Sequence, residues 1–150
     1  MTIRPMTEKD IDGVASLEKR AFSTPWSYED FVLCCEKDSY VYFVAADEED
    51  RVVGYAGFQY VIDEADIENI AVDEGARRQG IARALMNTLL SDGKKRGVKT
   101  FFLEVRESNE PAVRLYESLG FVRIGTRKDY YRDPIEDARV YSLKTEETVC

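Results

Sequence analysis

Apolar positions along this chain recur with two spacings, and the switches between them outline a mixed fold. Residues 2–4 read as a short first strand. Thr7 can cap a helix, with Asp10 as its capping-box partner, and Ile11, Val14, Ala15 and Leu17 then follow helical spacing towards Phe22. Residues 23–27 break the pattern, and Ser27 with Asp30 starts a second helix holding Phe31, Cys34 and Cys35. Residues 40–46 are rich in aromatic and β-branched side chains and predict a strand. The acidic run 47–50 is a turn, 51–61 the returning antiparallel strand, and 65–72 the next strand.

After a glycine- and arginine-rich loop, Ile81, Leu85 and Leu89 repeat at i, i+4 and i+8, with Ala82 and Leu90 beside them. Residues 94–96 are basic and suit the helix C-terminus, where Gly97 is a good cap. Residues 99–105 predict a buried strand. Asn109, Glu110 and Pro111 open a short helix that runs through Leu119 and ends at Gly120. Residues 121–128 and 138–143 read as a final hairpin around a long loop that contains Tyr130 and Tyr131. The unit strand–loop–helix–strand favours one parallel pair, while the remaining strands pair antiparallel. A mixed α/β sheet with helices on both faces follows, as a single domain over 1–150.

Composition narrows the function. The 150 residues carry a net charge of -8, with 44% hydrophobic and 33% charged side chains, so the chain is globular and unsuited to gripping nucleic acid through phosphates. Histidine is absent, which leaves carboxylates, tyrosines and cysteines for proton transfer. The three cysteines have no metal-ligand spacing: Cys34 and Cys35 are neighbours expected to pack on a helix face, and Cys150 is expected as an exposed tail thiol. No metal site is expected. No long apolar run marks a leader or a membrane span, so a cytoplasmic protein is expected.

The loop from Val72 to Arg83 concentrates positive charge in this acidic chain. A loop entering a helix aims unpaired backbone N–H groups outward, and Gly80 and Ala82 leave room beside them for an anion's oxygens. Arg77, Arg78 and Arg83 add full charges, which suits phosphate; a turn with a solvated basic face is the alternative. The Gly-Lys-Ser/Thr ending of a nucleotide-binding P-loop is missing. A second anomaly is Glu104, a carboxylate inside the apolar strand Phe101-Phe102-Leu103-Glu104-Val105 and a candidate general base. It could equally face water or pair with Arg106. Asn109 follows the strand, and Tyr116 lies on the next helix, where either core packing or proton donation is open to it.

Taken together these residues resemble the GNAT superfamily of N-acetyltransferases. Arg77-x-x-Gly80-x-Ala82 matches its pyrophosphate signature, with Ala82 where a second glycine is commoner. Leu103-Glu104-Val105-Arg106, Ser108-Asn109 and 115–121 fall at its later motifs. Asn69-Ile70-Ala71-Val72, 78–83, Pro25-Trp26-Ser27 and Tyr130-Tyr131 are most similar to the ribosomal-protein alanine N-acetyltransferases.

The resemblance implies the acyl-CoA N-acyltransferase fold and acetyl-CoA as donor, held where two parallel strands splay apart. Ile70, Ala71 and Val72 would bond the pantetheine arm. Arg77, Arg78, Gln79, Gly80, Ile81, Ala82 and Arg83 would hold the pyrophosphate, and Asn109 would contact the cofactor from the opposite wall. Glu104 would be the base and Tyr116 the acid of a direct transfer. By their own chemistry, the aromatic surfaces and hydroxyls of Trp26, Tyr130 and Tyr131 suit either a wall of the acceptor site or a lid over the core, and Asp63, Glu64 or Asp129 suit a basic residue of the acceptor. That acceptor would be a protein N-terminus, the alanine of a small-subunit ribosomal protein. Acetylation of lysines or small amines, and a non-catalytic acyl-CoA-binding module, are the alternatives.

Overall fold

The computed structural model describes residues 1–145. Cys150 lies outside them. In chain order the elements are β1 Thr2–Pro5, α1 Ile11–Ala21, α2 Tyr28–Glu36, β2 Tyr40–Ala46, β3 Val52–Val61 and β4 Glu64–Val72. They continue as α3 Ile81–Lys95, β5 Thr100–Arg106, α4 Glu110–Ser118, β6 Val122–Tyr131 and β7 Glu136–Lys144. Among the described residues one seven-stranded sheet has the order β1-β2-β3-β4-β5-β7-β6, and only β4 and β5 are parallel. Among the described residues no helix is long and apolar enough to cross a membrane.

The local signals act as expected at the helix starts. Asp10 reaches back to the Thr7 N–H at 2.9 Å, and Ser27 and Asp30 exchange reciprocal bonds at 3.2 and 2.8 Å. The sheet then sorts side chains by period 2. Neighbours Val41 and Tyr42, and likewise Ala56 and Tyr55, fall in different buried clusters. One cluster joins the sheet to α1 and α2, the other to α3 and α4, so helices cover both faces.

Two of the register shifts in the sheet bear on the site. Residues 130 and 131 belong to β6 rather than to a long loop, since Tyr131 pairs with Glu136 and only 132–135 connect the strands. The register shifts between Arg127 and Tyr131, and Asp129 takes a positive φ of 53° while its N–H donates to Asp137 at 2.8 Å. That bulge destroys the alternation that would have marked the strand.

The second departure is in β4. Gly57 pairs with Asn69 and Phe58 with Ile67, which leaves Glu68 as an extra residue without a partner on β3. Because the side-chain period is 2, one extra residue swaps the faces. Ala65 and Ile67 pack with the α3 cluster, whereas beyond the bulge Ala71 packs with the α1–α2 cluster.

Candidate active site

The parallel pairing of β4 and β5 covers only Glu64 to Asp66 against Thr100 to Phe102. Past that point β4 keeps β3 as its neighbour through Val72, and β5 keeps β7 through Arg106. The facing edges of the two strands are therefore left apart, starting at the Glu68 bulge, which adds local bend and twist. A cavity of about 630 Å³ occupies the gap. Of the residues singled out in the sequence, Trp26, Ile70, Glu104, Asn109, Tyr116, Tyr130 and Tyr131 all line it.

The arginine loop leaves the C-terminal end of β4. A short turn, Glu74–Ala76, leads to Arg77, whose Nε donates to the Val72 carbonyl at 3.4 Å. Arg78 and Gly80 both take positive φ, 68° and 75°, and Gly80 caps α3 without any side-chain cap. The helix ladder begins with the Ala84 N–H on the Gly80 carbonyl at 3.0 Å, so the amides before it are not used in the ladder. A Cβ built on Gly80 meets nothing within 4 Å. Arg77, Arg78, Gln79 and Gly80 are exposed, while Ala71 and Ile81 are buried and can offer only backbone. Arg83 is tied to the Ser118 hydroxyl of α4 at 2.9 Å. An open, uncapped helix N-terminus with the exposed Arg77 and Arg78 beside it fits a pyrophosphate.

Inside the cavity, Glu104 does not pair with Arg106. Its Oε1 accepts from Arg127 Nε at 3.0 Å, and the Arg127 guanidinium lies 5.8 Å from the Tyr130 ring. Arg106 instead donates to the Arg132 and Pro134 carbonyls at 2.8 and 3.0 Å and stacks 4.6 Å over Tyr131. It thereby clamps the β6–β7 turn beside the cavity. Tyr130 and Tyr131 meet edge to face at 5.0 Å. Asn109 caps α4, its Oδ1 accepting from the Ala112 N–H at 3.3 Å.

Tyr116 is 5% exposed, packs 6.0 Å from Phe121 and still reaches the cavity. Burial first, and then Tyr131, pushes its hydroxyl well above the ordinary tyrosine pKa, so it stays protonated and able to donate at neutral pH. Asp63 and Glu64 line a separate hollow at the β3–β4 turn, and Asp129 is not in the cavity wall, so they do not share the Glu104 site.

Two features escaped the sequence reading. Glu18 is 2% exposed on the apolar stripe of α1, beside Ile11, Val14 and Leu17. It accepts from the Tyr55 hydroxyl, from Asn69 Nδ2 at 3.1 Å and from the Trp26 N–H at 2.8 Å, and Tyr42 donates to Asn69 Oδ1 at 2.8 Å. This network fixes the Trp26 segment against β4. A carboxylate on a helix's apolar stripe was the available signal. The other is Glu68, which lines the cavity. Burial, then Asp66, then Glu104 raise its pKa to about 7, an effect that solvent softens because the side chain is exposed.

A mixed sheet whose one parallel pair splays beside an uncapped arginine-flanked helix start defines an acyl-CoA-dependent acyltransferase architecture. Residues 11–121 match the acetyltransferase (GNAT) family. The chain belongs to that family and is an acetyl-CoA-dependent N-acetyltransferase. It is similar to the ribosomal protein bS18-alanine N-acetyltransferase of Escherichia coli K12, at 40% identity over 95% of this chain and 96% of the relative. The enzyme of the same description from Haemophilus ducreyi is 36% identical over 88% of this chain and 90% of its own. The crystal structure of the Escherichia coli ribosomal-protein-S18-alanine N-acetyltransferase superposes with a TM-score of 0.87 at 38% identity, covering 99% and 98% of the two chains.

Proposed function

We propose that this enzyme acetylates the N-terminal α-amine of a protein in the cytoplasm, with the N-terminal alanine of ribosomal protein bS18 as its acceptor. The named reaction of relatives that align along nearly the whole chain supports this acceptor. The observation that carries the chemistry is that Glu104 and Tyr116, from different elements, face one cavity between β4 and β5.

Acetyl-CoA, when bound, supplies an acetyl group activated as a thioester. The backbone amides around Gly80 and the exposed Arg77 and Arg78 hold its phosphates, and the open edge of β4 at Ile70 to Val72 offers strand-like hydrogen bonds. Asn109 contacts it from the β5 side. An α-amine has a pKa of about 7.7–8.0, so most of it must lose a proton before attack at neutral pH. Glu104, oriented by Arg127, accepts a proton from the acceptor nitrogen. Tyr116, kept protonated by burial, donates to the departing sulfur. Trp26, Tyr130 and Tyr131 form the aromatic wall against which the acceptor's first residues lie.

The test offers acetyl-CoA with a peptide beginning at the bS18 alanine, the same peptide N-terminally blocked, and a blocked peptide carrying lysine, and follows CoA release and peptide mass. One acetyl gained on the free alanine terminus alone is expected. Turnover confined to the lysine peptide would overturn the acceptor and leave the acetyltransferase.

A further inference from the structure

Carboxylates at the cavity differ in how their charge is met. Glu104 is matched by Arg127 at 3.0 Å. Glu18 has no cation among the described residues but accepts from three donors, the Tyr55 hydroxyl, the Asn69 amide and the Trp26 N–H. Glu68 has neither. Among the described residues no lysine or arginine pairs with it, and the charges that reach it, Asp66 and Glu104, are of its own sign. Solvent alone meets that charge, and a cation entering the cavity would find it unmatched.

The bulge explains its placement. As the extra residue of β4, Glu68 stands where β4 parts from β5 and is followed directly by Asn69, whose amide is held by Glu18 and Tyr42. A second, independent group points into the same space. Tyr116, 5% exposed, lines the cavity, and its hydroxyl makes no hydrogen bond to another described residue. A carboxylate without a cation and a hydroxyl without a protein partner in one cavity are complementary to a cationic donor group, as an ammonium is.

We propose that Glu68 receives the acceptor's α-ammonium and takes its first proton, which makes it a further catalytic residue; this rests on the N-terminal acetyltransferase reading above. The proton count calls for such a group. The ammonium carries three protons and the amide product one, so two must leave the nitrogen. The first passes to a Glu68 oxygen and frees the lone pair. As the C–N bond forms and the C–S bond breaks, the second passes to Glu104, and the sulfur takes the Tyr116 proton. Glu104 then restores Tyr116, and the exposed Glu68 releases its proton to solvent, the one net proton of the reaction.

A base works best when its pKa lies near the working pH, and about 7 meets that condition. Burial sets it first, then the charges of Asp66 on β4 and Glu104 on β5. Tyr130 on β6, Cys34 on α2 and Tyr40 and Tyr42 on β2 also face Glu68 and have their own pKa values raised by it. Glu18 of α1 and Arg127 of β6 stand around the same space.

The experiment compares the wild type with Glu68→Gln and Glu68→Asp, using acetyl-CoA, the alanine-initiated peptide and its des-amino analogue as a competitive inhibitor. Glu68→Gln should raise the peptide KM about 10-fold or more, the loss expected for a charge-assisted bond, while the acetyl-CoA KM and the Ki of the des-amino analogue stay unchanged. The rising limb of kcat/KM near pH 7 should move, and Glu68→Asp should recover part of the loss. An unchanged peptide KM and pH profile in Glu68→Gln, with an active wild type, overturns the proposal. Equal losses for the amine and des-amino peptides overturn it too, since they mark a structural role. A wild type inactive on every free N-terminus but active on lysine removes the acceptor reading itself, and this proposal with it.

Discussion

The arginine loop and the cavity both open from the splayed β4–β5 pair, yet they are built in opposite ways. The loop is one contiguous stretch, 77–83, that presents backbone N–H groups and positive charge. The cavity is assembled from α1, the 22–26 segment, β4, β5, α4 and β6, and works through the placement of individual side chains. A phosphate cradle of main-chain amides tolerates the loss of any one side chain. A proton-transfer site does not.

The sharpest way to separate the two regions is to remove one proton-transferring group at a time. Glu104→Gln and Tyr116→Phe should each lower kcat by about 10²–10⁴-fold while acetyl-CoA binding, read by calorimetry, is unchanged. A collapse of acetyl-CoA affinity in either variant would mean that the two regions are not separable.

A next, smaller effect probes the cavity's scaffold. A Cβ at Gly57 would lie 2.3 Å from the Tyr42 ring, so Gly57→Ala must displace Tyr42 and its bond to Asn69. It should destabilise the fold by about 1–3 kcal/mol in urea unfolding and raise the peptide KM, with acetyl-CoA binding intact. The cofactor side has its own probe. Gly80→Ala meets no atom within 4 Å, but its φ of 75° strains any L side chain by about 1–2 kcal/mol. Acetyl-CoA should bind a few-fold more weakly, and the peptide KM should not move.

The smallest effect lies remote from both regions. Burial acts to raise the Asp10 pKa, but the bidentate bonds from Arg4 at 2.7 and 2.9 Å and the Thr7 N–H outweigh it, and the net shift is downward. A depressed carboxylate contributes stability above its unfolded pKa near 3.8 and loses it as pH falls through the lower folded value. Thermal melts should show that acid-side loss in the wild type, and Asp10→Asn should flatten it without altering either substrate's KM.

What was legible in the chain follows the same divide. Capping residues such as Thr7 and Ser27, the apolar stripe of α3 and the arginine loop act within a few residues of themselves, so their spacing suffices to read them. Glu104 and Tyr116 were visible as a break in a strand and as a motif position, but not their common cavity. Tyr130 and Tyr131 were misplaced in a loop because the bulge around Asp129 hides the strand's alternation.

The sequence by itself determined the element order, the one parallel crossover, the exposed arginine loop and membership of the acetyltransferase family, since each rests on local periodicity or a contiguous motif. Only the tertiary structure decided that Arg127 rather than Arg106 meets Glu104, that Glu18 is buried in a network with Tyr55 and Asn69, and that Glu68 is the unpaired residue of a bulge. Partners far apart along the chain are chosen by strand register and twist. A single extra residue in β4 moves every later side chain to the other face, and no local pattern records it.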